Sequence, residues 1–170
     1  IAKITKNKIT FKALNQKIYD NSYTSILNAK GEMILGLANM DNYERTVDIK
    51  NIIKTKNNKI ILDLNFSIDT IKSLISKYRS LNTICVCGTS LHKVYKIKKL
   101  LRKINFLILN KQESLNLSNK KNIKDALKFI IKKNNNLTVV ITNGKNYVNA
   151  YHNKIIYICK PPKTKIKNEN

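Results

Sequence analysis

The chain has 170 residues, 42% of them hydrophobic, with 4 glycines, 2 prolines and no tryptophan, about one domain's worth of polypeptide. That composition excludes a disordered or collagen-like chain, and no apolar run approaches the roughly 20 residues of a membrane helix, so no membrane partner is expected. Charge is the outlier: 33 Lys+Arg stand against 10 Asp+Glu, a net +23, which is a footprint of nucleic-acid binders. The excess is nearly all lysine, scattered over almost every segment with asparagine and isoleucine, residue types with A/T-rich codons. We read it as compositional drift, with nucleic acid an unfavoured partner.

In chain order, the sequence starts at Ile1 rather than Met and reads as a piece of something longer. Ser22–Asn28 alternates and Met33–Leu37 is apolar, with Ala29-Lys30-Gly31 between them, which predicts a β-hairpin. Lys59–Leu64 reads as a buried strand. Ser67–Tyr78 follows as a helix with Ile68, Ile71, Leu74 and Ile75 on one face and Ser67 as its cap. Strand Thr83–Cys87 leads to a helix over His92–Lys103 with Val94, Ile97, Leu101 and Ile104 inward and its lysines on a solvated face. Strand Phe106–Leu109 leads to helices Lys111–Leu117 and Ile123–Lys132. Strand Leu137–Ile141 leads to a turn at Asn143-Gly144-Lys145, then to extended runs Tyr147–Tyr151 and Lys154–Cys159. Strands alternating with helices predict parallel β-α-β units. The expectation is an α/β core over 44–170, with the hairpin over 20–38 set apart from it.

The 3 cysteines build no framework. Cys85 and Cys87 would share one side of a strand, no C-x-x-C pair supplies zinc spacing, and buried free thiols in a reducing cytoplasm are expected. His92 and His152 are poor general-base candidates, and neither G-x-x-x-x-G-K nor G-x-G-x-x-G occurs.

Open α/β sheets bind ligands beyond the carboxyl ends of their strands. Here those exits read Asp63-Leu64-Asn65, Cys87-Gly88-Thr89-Ser90, Asn110-Lys111-Gln112-Glu113 and Thr142-Asn143-Gly144-Lys145. Thr142 offers a hydroxyl and Gly144 lets backbone N–H groups approach an anion. Asn110 and Glu113 put an amide and a carboxylate one turn apart, able to hold Mg²⁺ through water. The same residues also fit a structural part: Asn110 as a helix cap, Glu113 as its dipole partner, Gly144 as a turn residue.

Three stretches together resemble the ribokinase-like (PfkB-type) sugar and nucleoside kinases, most closely their pseudouridine-kinase branch. Asp20–Met33 with Asn39-Met40-Asp41 is similar to that branch's lid hairpin. Asp63-Leu64-Asn65 is similar to the family's D-x-N. Asn110-Lys111-Gln112-Glu113 with Thr142-Asn143-Gly144 is similar to its N-x-x-E and [ST]-x-G motifs. The resemblance implies a three-layer, mostly parallel sheet with a small β-lid, incomplete at both ends, and transfer of phosphate from ATP with Mg²⁺ to a nucleoside or sugar. It implies that Asn110, Glu113, Thr142 and Gly144 lie at the ATP, with Glu113 toward the metal, and that Asn39, Asp41, Asp63 and Asn65 lie on the substrate side. It also implies a homodimer through the lid. The family's G-A-G-D run, whose Asp is the base, is not in these residues and is expected beyond Asn170. Three departures stand out: Cys87-Gly88 for Asp-Pro, Ile108-Leu109 for Lys-Pro, and Tyr147 for a glycine.

Overall fold

The computed structural model describes residues 22–29, 31, 33–39, 44 and 56–162. Asp41, much of the segment around it and 163–170 lie outside the described residues. The predicted hairpin is present: β1 (Ser22–Leu27) pairs antiparallel with β2 (Met33–Asn39), from Ser22↔Asn39 to Leu27↔Met33, with an irregularity at Ile26/Leu27. Gly31 turns the chain at φ 82, its N–H donating to Asn28 O at 3.0 Å, a backbone region that costs glycine little.

The second sheet has six strands in the order β3 (Lys59–Leu62), β4 (Thr83–Cys87), β5 (Phe106–Asn110), β6 (Thr138–Thr142), β7 (Val148–His152) and β8 (Ile155–Cys159). The first four are parallel and the last two antiparallel. Crossovers between parallel strands are right-handed, so a sheet that always steps the same way puts its helices on one face. The helices α1 (Ile68–Tyr78), α2 (Lys111–Ser118) and α3 (Ile123–Lys133), with a 3₁₀ helix over Val94–Lys103, form that layer. Ile60, Leu62, Ile84, Val86, Leu107, Leu109, Val139 and Ile141 are buried in one core with apolar residues of those helices. Alternate residues point the other way, and there Ile61 is 71% exposed and Phe106 and Ile108 are exposed too. Of the three layers expected from the sequence, the described residues supply two.

Ser67 caps α1 as predicted, its Oγ accepting from Thr70 N–H at 3.2 Å. The Val94–Lys103 segment departs from the α-helix expected of it. Val94, Ile97 and Leu100 are all buried, and this three-residue spacing matches a 3₁₀ turn, which has three residues per turn. The lysines of this segment are not all on a solvated face either, because Lys96 is buried. Asparagine has structural work at the amino ends of the strands. Asn82 Oδ1 accepts from Asn58 N–H at 2.9 Å, and Asn105 Oδ1 from Ile84 N–H at 2.9 Å. Asn134 Nδ2 donates to Leu101 O at 2.9 Å and Ile104 O at 3.2 Å.

The thiols also differ from expectation. Cys85 and Cys87 are half-buried and Cys159 is exposed, because β8 is the sheet's outer strand and every residue in it is exposed. Burial first, and then the neighbouring Cys87, push the Cys85 thiol up from 9.0 to about 11, so it stays protonated and a poor nucleophile at neutral pH.

Candidate functional site

Parallel strands share a carboxyl rim, and β5 and β6 bring the two exits richest in polar chemistry side by side. Asn110 and Thr142 are register partners at the last rung between these strands, with Thr142 Oγ1 lying 3.5 Å from Leu109 O. Both side chains are exposed at the rim. Two residues on, Gly144 holds φ +53, and nothing lies within 4 Å of where its Cβ would be. Its freedom serves the backbone angle and leaves open space above the loop.

Asn110 and Glu113 form a reciprocal capping box on α2. Asn110 Oδ1 accepts from Glu113 N–H and Glu113 Oε2 accepts from Asn110 N–H, each at 2.9 Å. This box satisfies two of the donors that a helix start leaves unpaired. Glu113 is only 3% exposed. Its carboxylate packs on the exit of β4, where a Cβ on Gly88 would come within 2.6 Å of Glu113 Cδ and 3.0 Å of Leu109 Cδ2. Glycine at 88 therefore makes room for the carboxylate. The structural part foreseen for Asn110 and Glu113 is the one these contacts display, and it sets the first turn of α2 beside Thr142. Among the described residues no three His, Cys, Asp or Glu side chains gather to hold a metal ion.

Of the substrate-side residues expected from the sequence, Asp63 and Asn65 follow β3, at the other end of the parallel strands' rim. Asp63 accepts from Asn65 twice, Oδ1 from the backbone N–H at 2.9 Å and Oδ2 from Nδ2 at 3.0 Å. Leu64 N–H donates to Thr89 Oγ1 at 2.9 Å, tying the β3 and β4 exits together. Asn39 ends β2, opposite Ser22.

Sequence reasoning missed a polar knot at this end. Lys96 Nζ donates to Glu44 Oε1 at 2.6 Å, Glu44 Oε2 at 2.8 Å, Phe66 O at 2.9 Å and Leu64 O at 3.2 Å. Lys93 Nζ donates to Asn65 Oδ1 at 3.0 Å and lies 3.7 Å from Glu44 Oε1. In a chain this rich in lysine nothing in the local pattern marks Lys96 as the buried one.

Neither a protein-family model nor a curated protein matches the sequence. Solved structures do. A carbohydrate kinase from Agrobacterium tumefaciens is similar at 26% identity and TM-score 0.70, over 88% of this chain and 50% of that one. A candidate ribokinase II from E. coli, solved with ATP and Mg²⁺, is similar in fold at 14% identity and TM-score 0.67, over 85% and 51%. A fructokinase from Vibrio cholerae, solved with fructose, ADP and potassium, reaches TM-score 0.57 at 11% identity, over 71% and 43%. The fold is that of the ribokinase-like kinases, and the chain spans about half the length of the solved kinases it matches.

Proposed function

We propose that this chain is the nucleotide-side part of a PfkB-type kinase that transfers the γ-phosphate of ATP to a sugar or nucleoside hydroxyl. The lid-like hairpin sequence favours the ribose 5′-hydroxyl of pseudouridine as the acceptor. The observation that carries this reading is the pairing of Asn110 with Thr142 on one rung, which puts the helix start and the glycine turn at a single rim.

Phosphoryl transfer rests on positioning and charge stabilisation more than on covalent chemistry from the protein. The Thr142 hydroxyl and the N–H groups around Gly144 bind ATP phosphates, and the α2 start adds a favourable dipole end. Glu113, buried and bonded to Asn110, meets Mg²⁺ only through water and chiefly sets the helix start. Asp63 and Asn65, with Asn39 and Asp41 from the lid side, face the acceptor. The exposed apolar residues of the hairpin, Tyr23, Ile34 and Leu37 among them, suit pairing with the hairpin of a second copy.

No G-A-G-D run occurs in the 170 residues, so this polypeptide has no acceptor base of that kind. Ile1–Asn170 is therefore expected to bind Mg·ATP and to transfer no phosphate to pseudouridine. In titration calorimetry Thr142→Val should weaken Mg·ATP by about tenfold, the scale of one hydrogen bond to a charged group. Wild-type chain that binds no nucleotide, or Thr142→Val that binds as tightly as wild type, would refute the site. Turnover by Ile1–Asn170 would refute the missing base.

A further inference from the structure

The described carboxylates are all on one side of the molecule. Asp69, Glu113 and Asp125 lie in the first turns of α1, α2 and α3, and Asp63 and Glu44 lie about the exit of β3. The last turns of α1, α3 and the 3₁₀ helix carry cations. That polarity alone is what helix dipoles favour, and lysine drift would add to it. Two grooves at this far edge go further. One, of 340 Å³, is lined by Arg79, Arg102 and Lys103 together with Ser80 and asparagines. The other, of 410 Å³, is lined by Lys98, Lys99 and Lys133 and again by Arg102. They meet at Arg102, and no carboxylate lines either of them.

The choice of residue is the second observation. The sequence has only three arginines, Arg45, Arg79 and Arg102, and both of the described ones converge here. Drift toward A/T-rich codons supplies lysine and does not explain two arginines in one groove. Arginine's planar fork matches phosphate oxygens in a way an ammonium does not. Other contacts hold these cations in place: Arg102 Nε donates to Lys133 O at 3.2 Å, and Lys133 Nζ lies 5.5 Å from the Phe129 ring centroid.

We propose that these two grooves, side by side at Arg102, form a second anion site, remote from the carboxyl rim, that takes a run of linked phosphate groups. The phosphates come from a single-stranded nucleic acid or from inorganic polyphosphate. An extended phosphate chain fits better than a lone phosphate because six cations are spread over two grooves that share Arg102. The proposal is independent of the kinase reading.

The test is fluorescence anisotropy of a labelled single-stranded RNA on the intact chain, with inorganic polyphosphate as competitor. Arg79, Arg102 and Lys103 are exposed, so Arg79→Gln/Arg102→Gln/Lys103→Gln should fold, as a melting curve will check. The control, Lys72→Gln/Lys124→Gln/Lys160→Gln, removes the same charge from other surfaces. The groove variant is expected to bind RNA at least about tenfold more weakly and to lose about 2 from its log–log salt slope, at roughly 0.7 per phosphate contact. The control should stay within about threefold of wild type. Polyphosphate that displaces RNA from wild type and loses affinity in the groove variant identifies linked phosphate as what is read. RNA that alone depends on the groove identifies the nucleic acid as the source. Equal losses in the groove and control variants would overturn the site, leaving only the diffuse attraction of a +23 chain.

Discussion

Gly88→Ala is expected to destabilise the fold by about 2–4 kcal/mol, the sum of overpacking strain and a lost helix cap. The new methyl would meet the Glu113 carboxylate, which is buried and accepts from Asn110 N–H. A glutamate tip can swing aside in open space, but here swinging aside breaks the capping box and leaves the α2 start with an unpaired donor. The clash needs both partners, so Glu113→Ala should relieve most of it. In a denaturant-unfolding cycle, Gly88→Ala with Glu113→Ala should cost less than the two single changes added together. Strict additivity would mean that glycine is at 88 for some other reason.

Lys96→Ala is expected to cost about 2–4 kcal/mol. Breaking a buried ion pair by removing one partner costs about 3–5 kcal/mol. The figure is lowered here because the Glu44 side chain is 44% exposed and water can recover it. What remains is the loss of donors to Leu64 O and Phe66 O and of a side chain only 3% exposed. Lys96→Met keeps the stem and should recover part of the loss, whereas Glu44→Gln should cost about 1 kcal/mol, since it leaves the ammonium its two backbone acceptors. Thermal melts of the three variants check the order Ala, Met, Gln from most to least damaging. Glu44→Gln as harmful as Lys96→Ala would show that the carboxylate, and not the carbonyl cage, holds the knot.

The sheet was legible because period two is a strong signal. Ile60, Leu62, Ile84, Val86, Leu107 and Leu109 alternate with more exposed residues, and each is buried. The hairpin was legible from its glycine turn, and α1 from Ser67 and its apolar stripe. The 3₁₀ helix was harder, since Val94 and Ile97 satisfy both helical periods, Leu101 continues the 3.6-residue stripe and Leu100 the three-residue one. Lys96 was not legible at all: its burial depends on Leu64, Phe66 and Glu44, which are distant in sequence and meet it only when the β3 exit folds over. Cys159 looks like a core residue by its neighbours, but its exposure follows from β8 being outermost, which is a property of topology. For Asn110 and Glu113 both a cap and a ligand were legible, and distances alone displayed the cap.

Binding of nucleotide phosphates at the rim joining β5 and β6 can be mapped directly. Amide chemical shifts of the intact chain would be followed as a non-hydrolysable Mg·ATP analogue is added. The largest changes are expected at Asn143–Lys145 and in the first turn of α2, with little change around Arg79 and Arg102. Changes concentrated at those two arginines, with the Thr142 rim unmoved, would contradict binding there.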